Sequence, residues 1–503
     1  MGRISDLLKD FEYEVICGST DCDYTDFVTD NRKITKGCVF VCIEGAKFDG
    51  HSCALQAIKE GAAAIVIEKD IDDIMRLNDS RIDLSECDTA IIRTKSTRAA
   101  MAYMACAYYN YPSRSLTTIG ITGTKGKTTT TYLIKSILEK AGRKVGLIGT
   151  IETIIGDEHI PSCNTTPEST VLQKTLRKMV DAGIDTVVME VSSQGLMLNR
   201  TLGIDFSIGI FTNLESDHIG PNEHTSFEQY AYCKSLLFKQ CKVGIVNADD
   251  KHLEMILKDH TCEVITYGVG TGAKPQGYDY LAENIKFVTE KGKLGMQFDI
   301  AGKTSFTATI NMPGMFSVYN GLCAIAVCAN LGIDNEVIRQ VLPQGAVRGR
   351  IEPVKVSDDF TLLIDYAHNA MALESLLKTL KEYDCKRLVC LFGCGGNRSR
   401  DRRFEMGEVS GQLADFTVIT SDNPRDEEPL DILADIETGI KKTSGEYIKI
   451  PDRKEAIRYC ISNGMPGDII VLAGKGHEDY QEIKGVKYPM DERVLIEEIL
   501  AGK

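Results

Sequence analysis

The pattern of apolar and polar residues predicts strands that alternate with helices along the whole chain. In the first hundred residues, polar turns separate short apolar runs at 38–43, 64–67 and 90–92. This pattern is typical of a small α/β domain. Longer apolar runs then alternate with helical stretches, at 116–121, 187–191, 206–211 and 243–246. They predict a second, mostly parallel sheet.

The alternation begins again after Arg350. Further strands are predicted at 360–365, 387–392, 416–420 and 468–473. Helical segments separate them, as in a Rossmann-like domain. The length of 503 residues also suits about three domains at roughly 150 residues each. We therefore predict an α/β protein with a small N-terminal domain at 1–112, a central domain at 113–346 and a Rossmann-like domain at 347–503.

Charge and cysteine content exclude several classes of protein. The 58 Lys and Arg residues against 72 Asp and Glu give a net charge of −14. Binding of nucleic acid or anionic membranes by broad electrostatic attraction is therefore not expected, and anionic ligands need local basic pockets. The 17 cysteines include no C-x-x-C pair, which predicts reduced thiols. Without an apolar signal region or a run of about 18 apolar residues, a cytoplasmic location is expected.

The most informative segment is Gly120-Ile-Thr-Gly-Thr-Lys-Gly-Lys-Thr128, between a predicted strand and a predicted helix. Its backbone N–H groups and the helix N-terminus can hold phosphates, while Lys127 reaches the transferred phosphate and Thr128 holds Mg²⁺. The segment departs from G-x-x-x-x-G-K-[ST] because Ile121 stands at the first glycine position. The alternative is a glycine-rich turn with an incidental lysine.

Three further positions are candidates for metal or phosphate chemistry. Glu190 closes the apolar run 187–190 and could serve Mg²⁺. Asp217-His218 follows the next run, and Lys234 lies in a predicted helix. The alternatives are a solvated strand-end carboxylate, a structural Asp-His pair and a surface lysine whose stem covers apolar neighbours.

Four polar clusters lie at or beyond the carboxyl ends of strands predicted in the third domain. They are Asp365-Tyr-Ala-His368, Asn397-Arg-Ser-Arg-Asp-Arg-Arg403, Asp422-Asn-Pro-Arg425 and Gly474-Lys-Gly-His-Glu478. Open α/β sheets bind ligands at this edge. Each cluster alone could be a turn or a solvated surface.

Taken together, these motifs resemble the Mur ligase family over essentially the whole chain, and most closely its branch that adds the third residue of the peptidoglycan stem peptide. The other matching motifs are Asn164-Thr-Thr-Pro167, Met189-Glu-Val-Ser-Ser193, Gly349-Arg350 and the extension of the last cluster to Gln481. Thr29-Asp-Asn-Arg32 and Asp49-Gly-His51 are similar to the UDP-binding domain of the family. The resemblance implies that the three predicted domains bind UDP, ATP and the incoming amino acid in that order, with ATP between the second and third.

The resemblance implies an amide-forming reaction in three steps. MgATP phosphorylates the D-Glu carboxylate of UDP-N-acetylmuramoyl-L-alanyl-D-glutamate, an amine attacks the acyl phosphate, and phosphate leaves. This order is chemically reasonable, because a carboxylate acylates poorly until its oxygen becomes part of a leaving group. The implied partners are small molecules only, and a monomer is expected.

The resemblance also implies roles for individual residues. The expected catalytic residues are Lys127, Glu190, His218 and Lys234. Mg²⁺ would be held by Thr128, Glu190, His218 and Lys234, with Lys234 carbamylated to N6-carboxylysine. ATP would be bound by Gly123, Thr124, Lys125, Gly126, Lys127, Thr128, Thr129, Asn320, Arg350, Asp365 and His368. The muramoyl dipeptide would be bound by Asp30, Asn31, Arg32, Thr165, Thr166, Ser192 and Arg200, and the incoming amino acid by Arg398, Asp422, Asn423, Arg425, Gly474 and Glu478.

We expect the incoming amino acid to be meso-2,6-diaminopimelate. Its distal carboxylate suits a bidentate arginine such as Arg425, and its distal ammonium suits Glu478. L-lysine is the alternative substrate, and Arg425 could instead pair with Asp426 or Glu427 at the surface.

Two other functions are possible from these motifs, and some positions differ from the family pattern. A folylpolyglutamate synthetase would share the central chemistry, and a regulatory P-loop NTPase would use the same Gly-Lys-Thr. Gln194, Ser317 and Phe404 stand where the family commonly has His, Asn and Pro, and His224 cannot be aligned securely.

Overall fold

The computed structural model describes residues 2–45, 48–79, 83–217, 219–220, 223–270, 277–290, 293–345 and 347–502. The chain forms two compact units. The first comprises Met1–Lys127 and Gly142–Thr266, and the second comprises Thr128–Ala141 and Tyr267–Lys503.

The N-terminal part of the first unit is a small α/β sheet, as the apolar runs predict. Its strands are β1 (Gly2–Arg3), β2 (Glu14–Cys17), β3 (Asp23–Tyr24), β4 (Phe27–Val28), β5 (Val39–Val41), β6 (Ala64–Ile67) and β7 (Ala90–Arg93). Its helices are α1 (Ile4–Leu7), α2 (Ala54–Lys59), α3 (Ile71–Leu77) and α4 (Thr97–Tyr108). The main sheet has the order β2-β7-β6-β5-β4 and is parallel except for β2.

Alternate residues of these strands enter two different cores. Val39 and Val41 pack in one core and Phe40 in the other, because successive side chains of a strand point to opposite faces. Burial on both faces explains why the runs are continuously apolar.

The rest of the first unit is built on a mostly parallel sheet. Its strands are β8 (Thr117–Thr122), β9 (Val145–Ile148), β10 (Glu152–Ile155), β11 (Glu158–Pro161), β12 (Thr186–Glu190), β13 (Phe206–Phe211), β14 (Cys241–Asn247) and β15 (Glu263–Gly268). The helices in this stretch of the chain are α5 (Lys127–Lys140), which from Thr128 onward belongs to the second unit, and α6 (Ser169–Asp181), α7 (Ser193–Met197), α8 (Phe227–Ser235) and α9 (Leu253–Leu257). The strand order is β11-β10-β9-β12-β8-β13-β14-β15.

Strand β8 lies between β12 and β13, and the three are parallel. The loops that follow these strands therefore leave from one edge of the sheet. This places the segment after β8 beside Glu190, the last residue of β12, and beside the residues after Phe211. Edges of this kind are where open α/β sheets bind ligands.

The second unit also contains three antiparallel strands, β16 (Tyr280–Glu290), β17 (Lys293–Gly302) and β18 (Phe306–Ile310), which continue the same sheet after β15. In this unit they are followed by α10 (Met315–Asn330) and α11 (Asn335–Val341). Its larger sheet contains β19 (Glu352–Val354), β20 (Thr361–Asp365), β21 (Arg387–Phe392), β22 (Phe416–Ile419), β23 (Glu446–Lys449) and β24 (Asp468–Ala473). A hairpin of β25 (Tyr480–Ile483) and β26 (Val486–Pro489) follows. The helices are α12 (Ala370–Lys381), α13 (Asp401–Leu413), α14 (Pro429–Ile440), α15 (Arg453–Ser462) and α16 (Glu492–Leu500).

The larger sheet confirms the predicted Rossmann-like arrangement. Its order is β19-β20-β24-β21-β22-β23, and all pairs except β19–β20 are parallel. Because β20, β24, β21 and β22 are neighbours, the four polar clusters that follow them leave from the same edge. The predicted α/β fold with mostly parallel sheets is thus confirmed.

Two of these site loops are joined by a buried arginine. Arg453 donates to the carbonyl oxygens of Ser421 at 3.1 Å and Ala473 at 3.0 Å, the residues that precede Asp422 and Gly474. Its guanidinium pairs with the carboxylate of Glu492 at 2.7 Å, and both side chains are buried. Burial raises the pKa of Glu492, although Arg453 opposes this effect.

Two further expectations concern the cysteines and membrane-spanning helices. All 17 cysteines are free thiols, as predicted. Over the part of the chain that the structure describes, no helix combines the length and apolar character needed to cross a bilayer.

Arg453→Met should destabilise the protein by about 3–5 kcal/mol, because it leaves the Glu492 carboxylate buried without its cation. Arg453→Met/Glu492→Gln should recover at least half of this loss. The control Arg458→Met, on the same helix but in a partly exposed pair with Glu455, should lose less than about 1 kcal/mol. Urea unfolding measures all three variants, and a loss at Arg453 no greater than at Arg458 would contradict the account.

Candidate functional site

The loop after β8 has a backbone that only glycine adopts easily. Gly123 has φ of +149° and Gly126 has φ of +85°. A Cβ at position 123 would lie 1.9 Å from Oγ1 of Thr212. Thr212 Oγ1 in turn donates to the carbonyl oxygen of Lys125 at 2.7 Å, and the Lys125 N–H donates to Asn213 Oδ1 at 2.9 Å. The loop that could hold phosphates is therefore fixed by the residues after β13.

Two lysines converge on one carbonyl group of this loop. Lys127 Nζ and Lys234 Nζ each donate to the carbonyl oxygen of Gly123 at 2.8 Å. Lys127 also donates to the carbonyl oxygen of Thr124 at 3.0 Å. The side chain of Lys234 is buried, so the alternative of a surface lysine is wrong. Burial, and next the charge of Lys127, hold the pKa of Lys234 well below its usual range.

Tyr230 is a neighbour that the sequence did not indicate. Its hydroxyl lies 3.0 Å from Oγ1 of Thr124, and Lys234 Nζ lies 4.5 Å from its ring centroid. Tyr230 and Lys234 are four residues apart on α8 and so share one face of the helix. Helical spacing from Lys234 was the only available signal for Tyr230.

Glu190 is buried at the end of β12, which contradicts the alternative of a solvated strand-end carboxylate. Its Oε1 accepts from the backbone N–H of Thr150 at 2.9 Å, and its Oε2 accepts from the Thr150 hydroxyl at 3.0 Å. Thr150 was not predicted, although it follows β9 at the same edge of the sheet. The carboxylate is thus held in one orientation.

The residues expected to bind the muramoyl dipeptide in this unit lie together. The hydroxyl of Thr165 is 3.0 Å from that of Thr150. Thr166 Oγ1 accepts from the Ser192 N–H at 2.9 Å. Arg200 Nη1 donates to the Thr166 carbonyl oxygen at 2.9 Å. This arrangement gives a largely buried cluster of hydroxyl groups and one guanidinium next to Glu190.

Arg200 has a second, acidic partner. Its Nη2 donates to Glu168 Oε1 at 2.6 Å. Its Nε is buried and has no hydrogen-bond partner among the residues that the structure describes. Glu168 was not predicted, and it partly balances the positive charge of this cluster.

The other dipeptide-binding candidates lie in the N-terminal sheet, after β4. Asp30 accepts from the Arg32 guanidinium at Nε (2.9 Å) and at Nη2 (2.8 Å). This interaction lowers the pKa of Asp30 to about 2. Asn31 begins the short 3₁₀ turn that Asp30 caps, and the exposed arginine side chain remains accessible to ligands.

The predicted metal ligand His218 lies outside the described residues. The preceding residue, Asp217, raises the pKa of Lys234 through its negative charge. This effect is smaller than the lowering of that pKa by burial. His224, which the sequence could not align, is buried with Nε2 at 2.8 Å from the Ser193 hydroxyl. Gln194 is half-buried on α7, next to Ser193.

The residues expected on the nucleotide side fall in both units. Thr128 and Thr129 lie in the first turn of α5. Asn320 on α10 accepts at Oδ1 from the Thr130 hydroxyl at 3.3 Å. Ser317, on the same helix, donates to the Pro313 carbonyl oxygen at 2.8 Å and points away from solvent.

Arg350 lies near both Asp365 and the ring of Tyr366. The Asp365 carboxylate accepts from the backbone N–H groups of Ile351 and Ala367, both at 2.8 Å, and burial raises its pKa despite the nearby Arg350. The Arg350 guanidinium lies 5.0 Å from the Tyr366 ring centroid, and the ring of His368 lies 4.7 Å from it. Tyr366 was not predicted as a site residue.

Arg425 does not pair with Asp426 or Glu427, so the surface alternative for it is wrong. Its Nε donates to Glu482 Oε2 at 3.1 Å, and its Nη1 donates to the Gly396 carbonyl oxygen at 2.8 Å. Asp426 bonds to Asn397 and Glu427 to Arg403 instead. Backbone bonds between Arg425 and the hairpin strand β25 fix this loop.

The remaining amino-acid-binding candidates adjoin Arg425. Asn423 Nδ2 donates to Glu478 Oε2 at 3.0 Å. Gly474 has φ of +107°, and a Cβ there would lie 3.0 Å from Oδ2 of Asp422. Arg398 is exposed and makes no hydrogen bond or ion pair within the described ranges. Phe404 lies in α13, where its N–H donates to the Arg400 carbonyl oxygen at 3.4 Å.

Comparison with known families gives three matches along the chain. Residues 25–109 match "Mur ligase family, catalytic domain". Residues 121–328 match "Mur ligase middle domain", and residues 349–476 match "Mur ligase, glutamate ligase domain".

Similar proteins span the whole chain. A protein of Caldanaerobacter subterraneus subsp. tengcongensis is 43% identical over 500 residues, covering 99% of each chain. One of Clostridium acetobutylicum is 41% identical over 502 residues, again covering 99% of each. Both are named UDP-N-acetylmuramoyl-L-alanyl-D-glutamate--2,6-diaminopimelate ligase, the second with the number 1.

Solved structures agree with these matches. A structure of UDP-N-acetylmuramoyl-L-alanyl-D-glutamate--2,6-diaminopimelate ligase superposes with a TM-score of 0.72 at 28% identity, covering 100% of this chain and 99% of that one. Mycobacterium tuberculosis folylpolyglutamate synthase reaches 0.57 at 17% identity, covering 75% of this chain and 92% of its own, and shares the fold. With relatives above 40% identity along its whole length and three matching domains, this chain belongs to the Mur ligase family.

Proposed function

We propose that this protein is an ATP-dependent, ADP-forming ligase that adds meso-2,6-diaminopimelate to UDP-N-acetylmuramoyl-L-alanyl-D-glutamate in peptidoglycan precursor synthesis. The names of its full-length relatives support the substrates. The observation that carries the chemistry is the loop at Gly123, where Lys127 and Lys234 meet beside the next strand end, Glu190. A monomer in the cytoplasm and domain limits at 112/113 and 346/347 belong to the same proposal.

The loop suits phosphoryl transfer to a carboxylate. Positioning and charge stabilisation supply most of the catalysis in such reactions, and a lysine at the β- and γ-phosphates is a recurring part. Lys127 would take this role, with the other proposed ATP-binding residues being Gly123, Thr124, Lys125, Gly126, Thr128, Thr129, Asn320, Arg350, Asp365 and His368. The resulting acyl phosphate makes the D-Glu carbonyl reactive toward an amine.

Glu190 has the chemistry and the fixed orientation of a magnesium ligand. Mg²⁺ prefers oxygen ligands, and Glu190 offers a buried carboxylate already oriented by Thr150. Thr128, His218 and Lys234 are the other proposed ligands. When bound, Mg²⁺ would offset the negative charge of the phosphates.

Lys234 could provide an oxygen ligand for Mg²⁺ only as a carbamate. Its amine would add to CO₂, so that an N–C bond forms, a proton leaves and the side chain becomes an anion. Burial next to Lys127 supports this proposal, because the change replaces repulsion between two cations with attraction. The lysine stem would keep its position on α8.

The two organic substrates have separate proposed sites. Thr165, Thr166, Ser192 and Arg200 would hold the dipeptide, with Asp30, Asn31 and Arg32 toward the UDP end. Arg398, Asp422, Asn423, Arg425, Gly474 and Glu478 would receive diaminopimelate. Its distal carboxylate suits Arg425, whose Nη2 has no hydrogen-bond partner among the residues described, while Nε and Nη1 are fixed.

Phosphate release should require ATP, the muramoyl dipeptide and meso-diaminopimelate together. Lys127→Ala should reduce it by at least a hundredfold because the transferred phosphate loses its cation, whereas Lys140→Ala, at the exposed end of α5, should stay within twofold. The assay is run across a panel of amino acids. ATP turnover without the dipeptide would favour a regulatory NTPase, and a preference for L-lysine would contradict the proposed substrate.

Lys234 should give a carbamate signal in ¹³C NMR when the protein is equilibrated with ¹³C-bicarbonate. Lys234→Ala should lose both the signal and ligase activity, and a short carboxylic acid should restore part of the activity. Lys239→Ala, a nearby lysine paired with Asp259, should keep both. An active wild-type enzyme without the signal would refute the carbamate.

Arg425→Ala should raise the KM for meso-diaminopimelate more than tenfold, since loss of a buried charge-assisted pair costs about 2–5 kcal/mol. The KM for the muramoyl dipeptide should be nearly unchanged. Arg402→Ala is the matched control, because the side chain of this arginine makes no hydrogen bond or ion pair within the described part of the chain. Equal effects of Arg425→Ala on both substrates would argue against a role in amino-acid recognition.

A further inference from the structure

Lys475 is a fully buried lysine whose contacts all lie around the proposed amino-acid site. Its Nζ donates to Asn423 Oδ1 at 2.9 Å, to Glu478 Oε2 at 2.8 Å and to the carbonyl oxygen of Tyr480 at 2.5 Å. All three donor positions of the ammonium group are therefore used. They join the loop after β22, the loop after β24 and the first residue of β25.

These contacts determine the orientation of the Asn423 amide. Oδ1 accepts from Lys475 Nζ and also from the backbone N–H of Glu482 at 2.9 Å. With two donors on this side, the oxygen must face them and the amide NH₂ must face Glu478, where Nδ2 donates to Oε2 at 3.0 Å. Lys475, Asn423 and Glu478 thus form a closed triangle.

The triangle leaves one oxygen of Glu478 for a ligand. Both bonds from Lys475 and Asn423 end on Oε2, and Oε1 has no hydrogen-bond partner in the described part of the chain. A carboxylate fixed through one oxygen presents the other in a defined direction. A distal ammonium group could then bind without first ordering the side chain, which lowers the entropic cost of binding.

We propose that Lys475 is a positioning residue for amino-acid specificity, which locks Asn423 and Glu478 so that Glu478 Oε1 faces the distal ammonium group of the incoming diamino acid. This inference rests on the proposed function. A buried ammonium is costly unless its bonds are complete, and here every bond ends on a residue or hairpin of the amino-acid site. Lys475 itself would not touch the substrate.

The test compares Lys475→Met, Glu478→Gln and the double variant in the full-length protein, with KM and kcat measured for each substrate. Lys475→Met should raise the KM for meso-diaminopimelate at least tenfold, while the KM values for ATP and the muramoyl dipeptide stay within twofold. The double variant should match Glu478→Gln within twofold, because residues that act through one another are not additive. Lys487→Met is the control, since Lys487 also lies over the Tyr480 ring, at 3.9 Å, but is exposed.

Each remaining outcome decides against the inference. An unchanged KM for diaminopimelate, an equal rise for all substrates, or multiplied effects in the double variant would overturn it. If Lys475→Met fails to fold, Lys475→Gln, which keeps an amide donor, is measured on the same terms. Activity of the wild-type enzyme with diaminopimelate separates failure of this inference from failure of the proposed function. If the proposed function is wrong, the wild-type enzyme does not use diaminopimelate at all.

Discussion

The candidate site depends on one crowded hydrogen-bond acceptor, the carbonyl oxygen of Gly123. Two lysines donate to it at 2.8 Å, and two positive charges this close together in a largely buried place would repel each other strongly. The loop can offer this carbonyl only because Gly123 adopts φ of +149° against Thr212. The close pair favours chemistry that removes the charge from one lysine or brings an anion between them. In the proposed reaction, ATP would bring phosphate to this loop, and carbamylation would turn Lys234 into an anion.

Individually held basic groups are also found in the second unit. A net charge of −14 does not attract anionic substrates over long distances, so the proposed site relies on individual basic groups near strand ends. In the second unit, Arg425 and Lys475 are held by hydrogen bonds before any ligand arrives. Such fixed cations need no reorganisation when charge develops during a reaction. Their acidic partners are Glu482 for Arg425 and Glu478 for Lys475.

The sequence predicted several buried strands with their observed bounds, and for a physical reason. The strands Phe206–Phe211, Arg387–Phe392 and Asp468–Ala473 have the predicted bounds, since strands buried on both faces must be continuously apolar. Contacts between distant segments were harder to predict. Lys234 lies 111 residues from Gly123 and Lys475 lies 52 from Asn423, and no local pattern distinguishes a lysine that meets such a partner from one in solvent.

The ionisation of Lys234 tests this account most directly. In buffer free of CO₂, the protein carrying ¹³Cε-labelled lysine is titrated by NMR, and the Lys234 resonance is assigned by its loss in Lys234→Arg. We expect the pKa of Lys234 to lie well below the ordinary value of about 10.4 for lysine, because of its burial and the neighbouring Lys127. A Lys234 resonance that titrates near the ordinary value would contradict this account.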